Sequence, residues 1–275
     1  MKEKVLDQEN KKQLASEWFR ELRDNFCSQF ETIDGEKFVR NKWSHSGEGG
    51  GEMSVMKGSV FEKVGVNIST VNGRFKEEFR ENVSGTENSP NYWASGISIV
   101  AHMHSPYIPA FHFNTRFIAT DEQWFGGGAD LTPTIINDDD VEEFHNTFRD
   151  ACNNHDKSYY QNFRKQCEEY FFLPHRNEER GKGGIFFDHM NTGDWKKDFE
   201  FVKEVGMAFL KVVPSIIKKR KDIGWDENEK NLQLLKRGRY VEFNLLWDRG
   251  TQFGLKTGGN TEAILMSMPP EAKWD

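Results

Sequence analysis

Hydrophobic and polar positions follow two rhythms along this chain, and the changes of rhythm divide it into blocks. Leu14, Trp18, Leu22, Phe26 and Phe30 recur every four residues. That spacing draws a slowly drifting apolar stripe and predicts a helix over 8–33, closed by Asp34-Gly35. A glycine-rich stretch at 47–51 follows. Strand-like text then appears at 60–61 and 64–71, and Asn72-Gly73 signals a hairpin turn. Residues 75–95 read as polar and irregular, with a surface loop near 84–90.

The clearest strands are 96–104 and 108–120. In the first, Ile97, Ile99, Ala101 and Met103 alternate with Ser98, Val100, His102 and His104. In the second, Phe111, Phe113 and Phe117 alternate with His112, Asn114 and Arg116. Successive side chains of a strand point to opposite faces, so each polar set shares one face. The short 105–107 connection predicts antiparallel pairing, with the two polar rows side by side on one sheet.

Helical spacing returns at 138. Asp138–Asp140 place acidic groups where a helix dipole favours them. Val141, Phe144, Phe148 and Ala151 form the apolar face. A second helix is predicted at 156–172, a short strand at 185–188, and a long helix at 195–221 that Pro214 would kink. A shorter helix at 226–237 precedes three terminal strands at 240–247, 252–256 and 261–267. No repeat and no linker interrupts the pattern. The reading is one α+β domain over 1–275, with a large, mainly antiparallel sheet flanked by helices on both faces.

Composition narrows the class. Aromatic residues make up 13% of the chain, which excludes overall disorder. The 37 basic against 44 acidic residues give a net charge of −7, which argues against a nucleic-acid partner. Apolar runs are far shorter than a transmembrane helix needs. The start has neither an apolar signal core nor the arginine-rich character of a transit peptide, so a cytoplasmic protein is expected. Cys27, Cys152 and Cys167 are far apart and read as buried free thiols.

Several groups carry candidate chemistry. His102, His104 and His112, with Asn114 and Arg116, suit a substrate pocket, a metal site built on the His-x-His pair, or a solvated sheet face. The run Trp124–Pro133 places Asp130 after Gly126-Gly127-Gly128. It reads equally as a functional site or as a tight turn with a capping Asp. Burial there would perturb the Asp130 pKa. Arg116, Arg176, Arg180, Arg239 and Arg249 suit a substrate with several carboxylates, the alternative for each being an ion pair. The segment 250–260 reads as a hairpin with a glycine turn that either holds an anion or simply turns. His145 and His175 have a structural reading as well.

The strings PYIPAFHFNTRF, WFGGGADLTP, YFFLPHRNEERGKGGIFFD and GRYVEFNLLWDRGTQFGLKTGG, in this order, closely resemble the oxygen-dependent coproporphyrinogen III oxidase family. The resemblance runs from about Phe26 to the end. It implies that two propionates of coproporphyrinogen III become vinyl groups, with loss of two CO2, O2 as electron acceptor and hydrogen peroxide formed. The product would be protoporphyrinogen IX, on the way to haem. It also implies a homodimer.

Carried onto this chain, the family pattern makes Ser98 a substrate contact and His112 the acid/base. Asn114, Thr115 and Arg116 would line the substrate site. Asp130 would sit beneath the tetrapyrrole, and Gly258, Gly259 and Asn260 would close the pocket. Arg116 and Arg249 are the first choices for propionate anchors. Bacterial members are described with a manganese site, whose ligands would fall on His102, His112, His145 and His175; other members work without metal. The electron-rich pyrrole would reduce O2 directly, so no flavin or haem is implied. Asp130, with a raised pKa, would polarise or deprotonate a pyrrole nitrogen. His104, His189 and Asn260 depart from the usual family residues. The rival readings are a non-catalytic porphyrinogen-binding protein and a metal-dependent enzyme built on His102 and His104.

Overall fold

A computed structural model of the chain describes residues 6–81, 83–256 and 259–275. Seven antiparallel strands form one sheet in the order β1-β2-β3-β4-β5-β6-β9. They are β1 (Val39–Ser44), β2 (Glu48–Met56), β3 (Phe61–Arg74), β4 (Asn91–Met103), β5 (Ala110–Ala119), β6 (Gln123–Thr132) and β9 (Gly184–Met190). A small ribbon, β7 (Phe172–Leu173) with β8 (Glu178–Glu179), stands apart. Between and around the strands run α1 (Gln8–Asp34), α2 (Glu77–Arg80), α3 (Asp138–Asn153), α4 (Tyr159–Tyr170) and α5 (Trp195–Arg220). The chain ends with α6 (Glu227–Leu246), α7 (Arg249–Lys256) and α8 (Thr261–Leu265). The α+β architecture expected from the patterning is the one observed.

One face of the sheet makes the main core. Val64, Val66, Ile97, Ile99, Phe113 and Phe117 are buried there. Helix α1 packs on β3 and β4, and α5 on β5 and β6. Phe113 meets Phe26 of α1 at 6.0 Å and Phe209 of α5 at 5.0 Å between ring centroids. Helix α1 starts on Asp7, whose side chain accepts from the Asn10 N–H, and stops at Gly35, which takes φ 96°. Its buried stripe is Ala15, Phe19, Leu22, Phe26 and Phe30; Leu14 is exposed, because the four-residue spacing drifts around the helix. Helix α5 is continuous through Pro214. The three cysteines are buried free thiols, and burial pushes Cys27 up to about 11 and Cys152 up to about 12.

The opposite face is covered at one end by the C-terminal helices, where strands were expected. Asp226 caps α6 through a capping box with Glu229. The buried positions Gln233, Arg237, Tyr240 and Asn244 fall three or four residues apart. Half of that face is polar, and the aromatic and β-branched residues around Tyr240 imitate a strand. The 250–260 hairpin is likewise absent: α7 occupies most of it, and Gly259 donates its N–H to the Gly254 carbonyl at 2.9 Å.

Two further expectations change. Asn72-Gly73 lies inside β3, paired with Trp93 and Tyr92, so the chain turns later. The Gly126-Gly127-Gly128 run is the middle of the buried strand β6 and makes no turn. No helix among the described residues is long and apolar enough to cross a membrane.

Candidate active site

The register of β4, β5 and β6 assembles the site. Ser98 lies opposite Asn114, and His112 opposite Asp130. Directly paired residues share a face, so Ser98, His112, Asn114, Arg116 and Asp130 all project from the face opposite the main core. Gly128 and Gly126 stand across from Asn114 and Arg116. A Cβ at Gly126 would lie 2.8 Å from both Arg116 Nη2 and Asp188 Oδ1. These two glycines leave the floor bare beside the polar row.

Asp130 is the anchor of that row. It is 2% exposed, and both carboxylate oxygens are engaged. Oδ1 accepts from His112 Nδ1 at 2.7 Å, and Oδ2 from Arg180 Nη2 at 2.5 Å. Arg180 is itself buried among rings: its guanidinium carbon lies 4.0 Å from the Phe171 centroid, 4.6 Å from Tyr240 and 4.8 Å from Phe243. Nη1 donates to Asn244 Oδ1 at 3.1 Å. Burial by itself would raise the Asp130 pKa, but the Arg180 charge, and then the His112 hydrogen bond, outweigh it and hold the carboxyl below its usual range. The expectation of a raised Asp130 pKa is corrected on that ground.

Asp130 fixes the tautomer of His112. Its carboxylate needs a donor, so His112 carries its proton on Nδ1. Nε2 is then an acceptor, and Asn114 Nδ2 donates to it at 3.0 Å. The His112 ring meets Phe171 edge-on at 5.9 Å. Beyond Asn114, Arg116 Nη2 donates to Asp188 Oδ1 at 2.8 Å, and Arg249 Nη2 lies 3.8 Å from Asp188 Oδ2. Arg116 is 33% and Arg249 66% exposed at the side chain, so both guanidinium groups reach solvent. Tyr170 and Phe186 stack at 4.3 Å, and Arg249 lies 5.0 Å above the Tyr170 ring. An aromatic wall thus stands beside two shared cations.

A family model described as "Coproporphyrinogen III oxidase" matches residues 14–275. The chain belongs to that family. The oxygen-dependent coproporphyrinogen-III oxidase of Rickettsia bellii (strain OSU 85-389) is 54% identical over 277 residues, covering 96% of this chain and 99% of its own. The enzyme of the same name from Rickettsia akari (strain Hartford) is 54% identical over 274 residues, with 96% of this chain and 98% of its own covered. That of Rickettsia rickettsii (strain Sheila Smith) is 52% identical over the same span.

Within the coproporphyrinogen III oxidase family pattern, Thr115 changes place. It is 1% exposed and lies between Asn114 and Arg116, so its side chain faces the core. Only its backbone borders the site. Gly258 lies outside the described residues. Asn260 spends its side-chain oxygen on the Ala263 N–H, capping α8.

The manganese set does not fit. Buried His102 bonds the Ser267 carbonyl through Nε2 at 2.9 Å, and burial pushes its pKa down to about 3. His145 uses both ring nitrogens, one on the Lys182 carbonyl and one on the Tyr160 hydroxyl. His175 meets Glu242 and accepts from Trp247 Nε1. His112 is bonded on both sides, as above. Among the described residues no three His, Cys, Asp or Glu gather to hold a metal. His104 lies past the end of β4 on the Gly58 carbonyl, so the His-x-His pair does not converge either.

Of the arginine set, Arg176 pairs with Glu242 and Arg239 with Glu178, the ordinary ion-pair reading. Arg180 pairs with Asp130 and offers no free fork to a substrate. Asp188 and Asn244 went unnoticed in the sequence, because only tertiary contacts give them a role. His189, the residue after Asp188, stacks on Trp124 at 4.9 Å.

Proposed function

We propose that the face carrying His112, Asn114, Arg116 and Asp130 is the active site of an oxygen-dependent coproporphyrinogen III oxidase. The reaction is oxidative decarboxylation in haem biosynthesis. Each of two propionates, –CH2CH2COOH, reacts with O2 to give –CH=CH2, CO2 and H2O2. Coproporphyrinogen III thereby becomes protoporphyrinogen IX. O2 takes the electrons, and the electron-rich tetrapyrrole supplies them.

The single observation that supports the site most strongly is the Arg180–Asp130–His112 chain. It orients the imidazole with Nδ1 on the carboxylate and Nε2 turned away from it. Proton acceptance therefore falls to His112 Nε2, in place of the role first given to Asp130. Asp130 stabilises the imidazolium that forms. Asn114 Nδ2 gives up its bond to Nε2 as the proton arrives and remains beside the ring to orient the substrate.

Arg116 and Arg249 bind propionate carboxylates by exchanging their contact with Asp188 for the substrate. Ser98 and the bare Gly126–Gly128 floor face the macrocycle, with Phe186 and Tyr170 as its apolar side. No step is routed through a metal: His112, His145 and His175 have both ring nitrogens engaged, and His102, whose buried Nδ1 has no partner, is held on the Ser267 carbonyl through Nε2.

The test is incubation with coproporphyrinogen III with and without O2, after chelator treatment, with products separated by chromatography. Protoporphyrinogen IX forming only with O2, and surviving the chelator, supports this reading. Tight binding without product favours a binding protein. Activity lost to the chelator and restored by manganese contradicts the metal-free arrangement.

We further infer a homodimer. Leu245, Leu246 and Trp247 at the end of α6, and Phe253 and Leu255 on α7, are each exposed, large apolar side chains that a second copy would cover.

A further inference from the structure

Strand β9 gains a residue where it passes the bare floor of the site. Phe125 pairs with Met190 and Gly127 with Phe187, so Asp188 and His189 together oppose Gly126 alone. Two residues against one make a β-bulge, a device that re-aims side chains beside a site. Without it, alternation along β9 would turn His189 toward the core, with Phe187. The bulge turns it to the other face, where its ring stacks on Trp124 at 4.9 Å with the planes 12° apart. Trp124 alternates with Phe125 on β6 and so shares the face of Gly126 and Asp130.

The bulge holds an unfavourable backbone. His189 takes φ 51°, in the left-handed region that most side chains avoid. Its N–H donates to Asp188 Oδ1 at 3.0 Å. Strain of this kind persists where the surroundings enforce it, and it gathers at functional sites. The His189 side chain is 54% exposed, so it exchanges protons with solvent, and its Nδ1 lies 3.7 Å from Asp188 Oδ1.

The charges around Asp188 give this ring a task. Arg116 Nη2 donates to Asp188 Oδ1 at 2.8 Å, and Arg249 Nη2 lies 3.8 Å from Oδ2. A propionate that takes both arginines brings a second carboxylate to the same two cations. Asp188, whose side chain is only 20% exposed, then loses its partners. A third cation beside it offsets that loss. Histidine is the side chain whose charge ordinarily changes between about pH 5 and 8. The charged groups around the His189 ring are Asp188 on its own strand and, across that carboxylate, Arg116 of β5 and Arg249 of α7. Trp124 of β6 presents a neutral face that favours a cation above it.

We propose that His189 is a positioning residue for substrate binding: it takes up a proton as a propionate displaces Asp188 from Arg116 and Arg249, and its imidazolium then holds the released Asp188 carboxylate. It touches neither O2 nor the reacting propionate. The inference rests on the reading of the two arginines as propionate anchors.

Steady-state oxygen uptake is measured against coproporphyrinogen III concentration from about pH 6 to about pH 8.5, for the parent, His189→Asn and His189→Gly. Asparagine tolerates a left-handed backbone and glycine adopts it freely, so both keep the bulge and remove the charge. The KM of each variant should exceed that of the parent about tenfold at the acid end and match it within about twofold at the alkaline end. Throughout, kcat should stay within about twofold of the parent. Anaerobic calorimetry near neutral pH, in two buffers of different ionisation heat, should show the parent binding substrate with more proton uptake than His189→Asn, by up to about one proton. A parent-like KM in His189→Gly would show a structural role only and overturns the proposal. KM ratios that do not change with pH, or equal proton uptake, also overturn it. No turnover in the parent would fail the oxidase reading together with this inference, whereas turnover with parallel KM profiles fails the inference alone.

Discussion

Arg180 and Asp130 form an ion pair with side chains only 2% and 3% exposed, closed by a 2.5 Å hydrogen bond. Removing one partner leaves an uncompensated charge in the interior, which typically costs about 3–5 kcal/mol. Arg180→Met is therefore expected to lower the unfolding free energy by roughly that much, measured by urea denaturation. Combining it with Asp130→Asn should recover part of the stability and none of the activity. Additive losses in the double variant would show that the two residues act independently.

Gly126 sets the clearance above the floor of the site. An alanine there would press on the ends of Arg116 and Asp188, which are flexible enough to move aside. Gly126→Ala should keep its stability within about 1 kcal/mol. It should raise KM about tenfold by displacing the Arg116 fork, with kcat little changed. Steady-state oxygen uptake against coproporphyrinogen concentration separates these effects. An unchanged KM would remove Arg116 from the substrate contacts.

Glu62 predicts an acid-side loss of stability. Burial opposes its ionisation, but Arg237 and Lys230 win and hold its pKa at about 2, against an ordinary 4.5. The folded state thus releases this proton more readily than the unfolded chain. Its contribution is complete above about pH 4.5 and is lost as the pH falls toward 2. In that window the slope approaches roughly 1.4 kcal/mol per pH unit. Glu62→Gln should be less stable at neutral pH and flatter below pH 4.5. Parallel curves for parent and variant would assign the acid sensitivity elsewhere.

The exposed Leu245, Leu246 and Trp247 at the end of α6 bear on assembly. Light scattering after size exclusion should give twice the 32.0 kDa chain mass. Leu246→Glu should shift the population toward the monomer. A parent protein that is monomeric at micromolar concentration would refute the homodimer.

Much of this site was legible in the sequence because β5, and β4 apart from Val100, alternate, with large apolar groups on one face. Ser98, His112, Asn114 and Arg116 were placed together by that period alone. Asp130 was singled out, yet its strand was not. Glycines at 126–128 carry no side chain, so they gave no alternation, and a central strand read as a turn. Helix α6 was misread past residue 237 because Arg237 and Asn244 occupy its buried face and find partners from other elements. The role of Arg180 was hidden for a related reason. Its partner is 50 residues away, and nothing local distinguishes it from the surface arginines beside it.

The central claim is that Asp130, as a buried carboxylate, sets His112 to accept a proton. The most direct measurement compares Asp130→Asn with the parent at saturating coproporphyrinogen III, following oxygen uptake and protoporphyrinogen IX together. Anaerobic substrate binding is measured alongside. The amide keeps the shape but no longer stabilises the Nδ1–H tautomer or the imidazolium. The expected result is a loss of about 10²–10⁴ in kcat with substrate affinity changed only a few-fold. Full turnover in Asp130→Asn would contradict the claim.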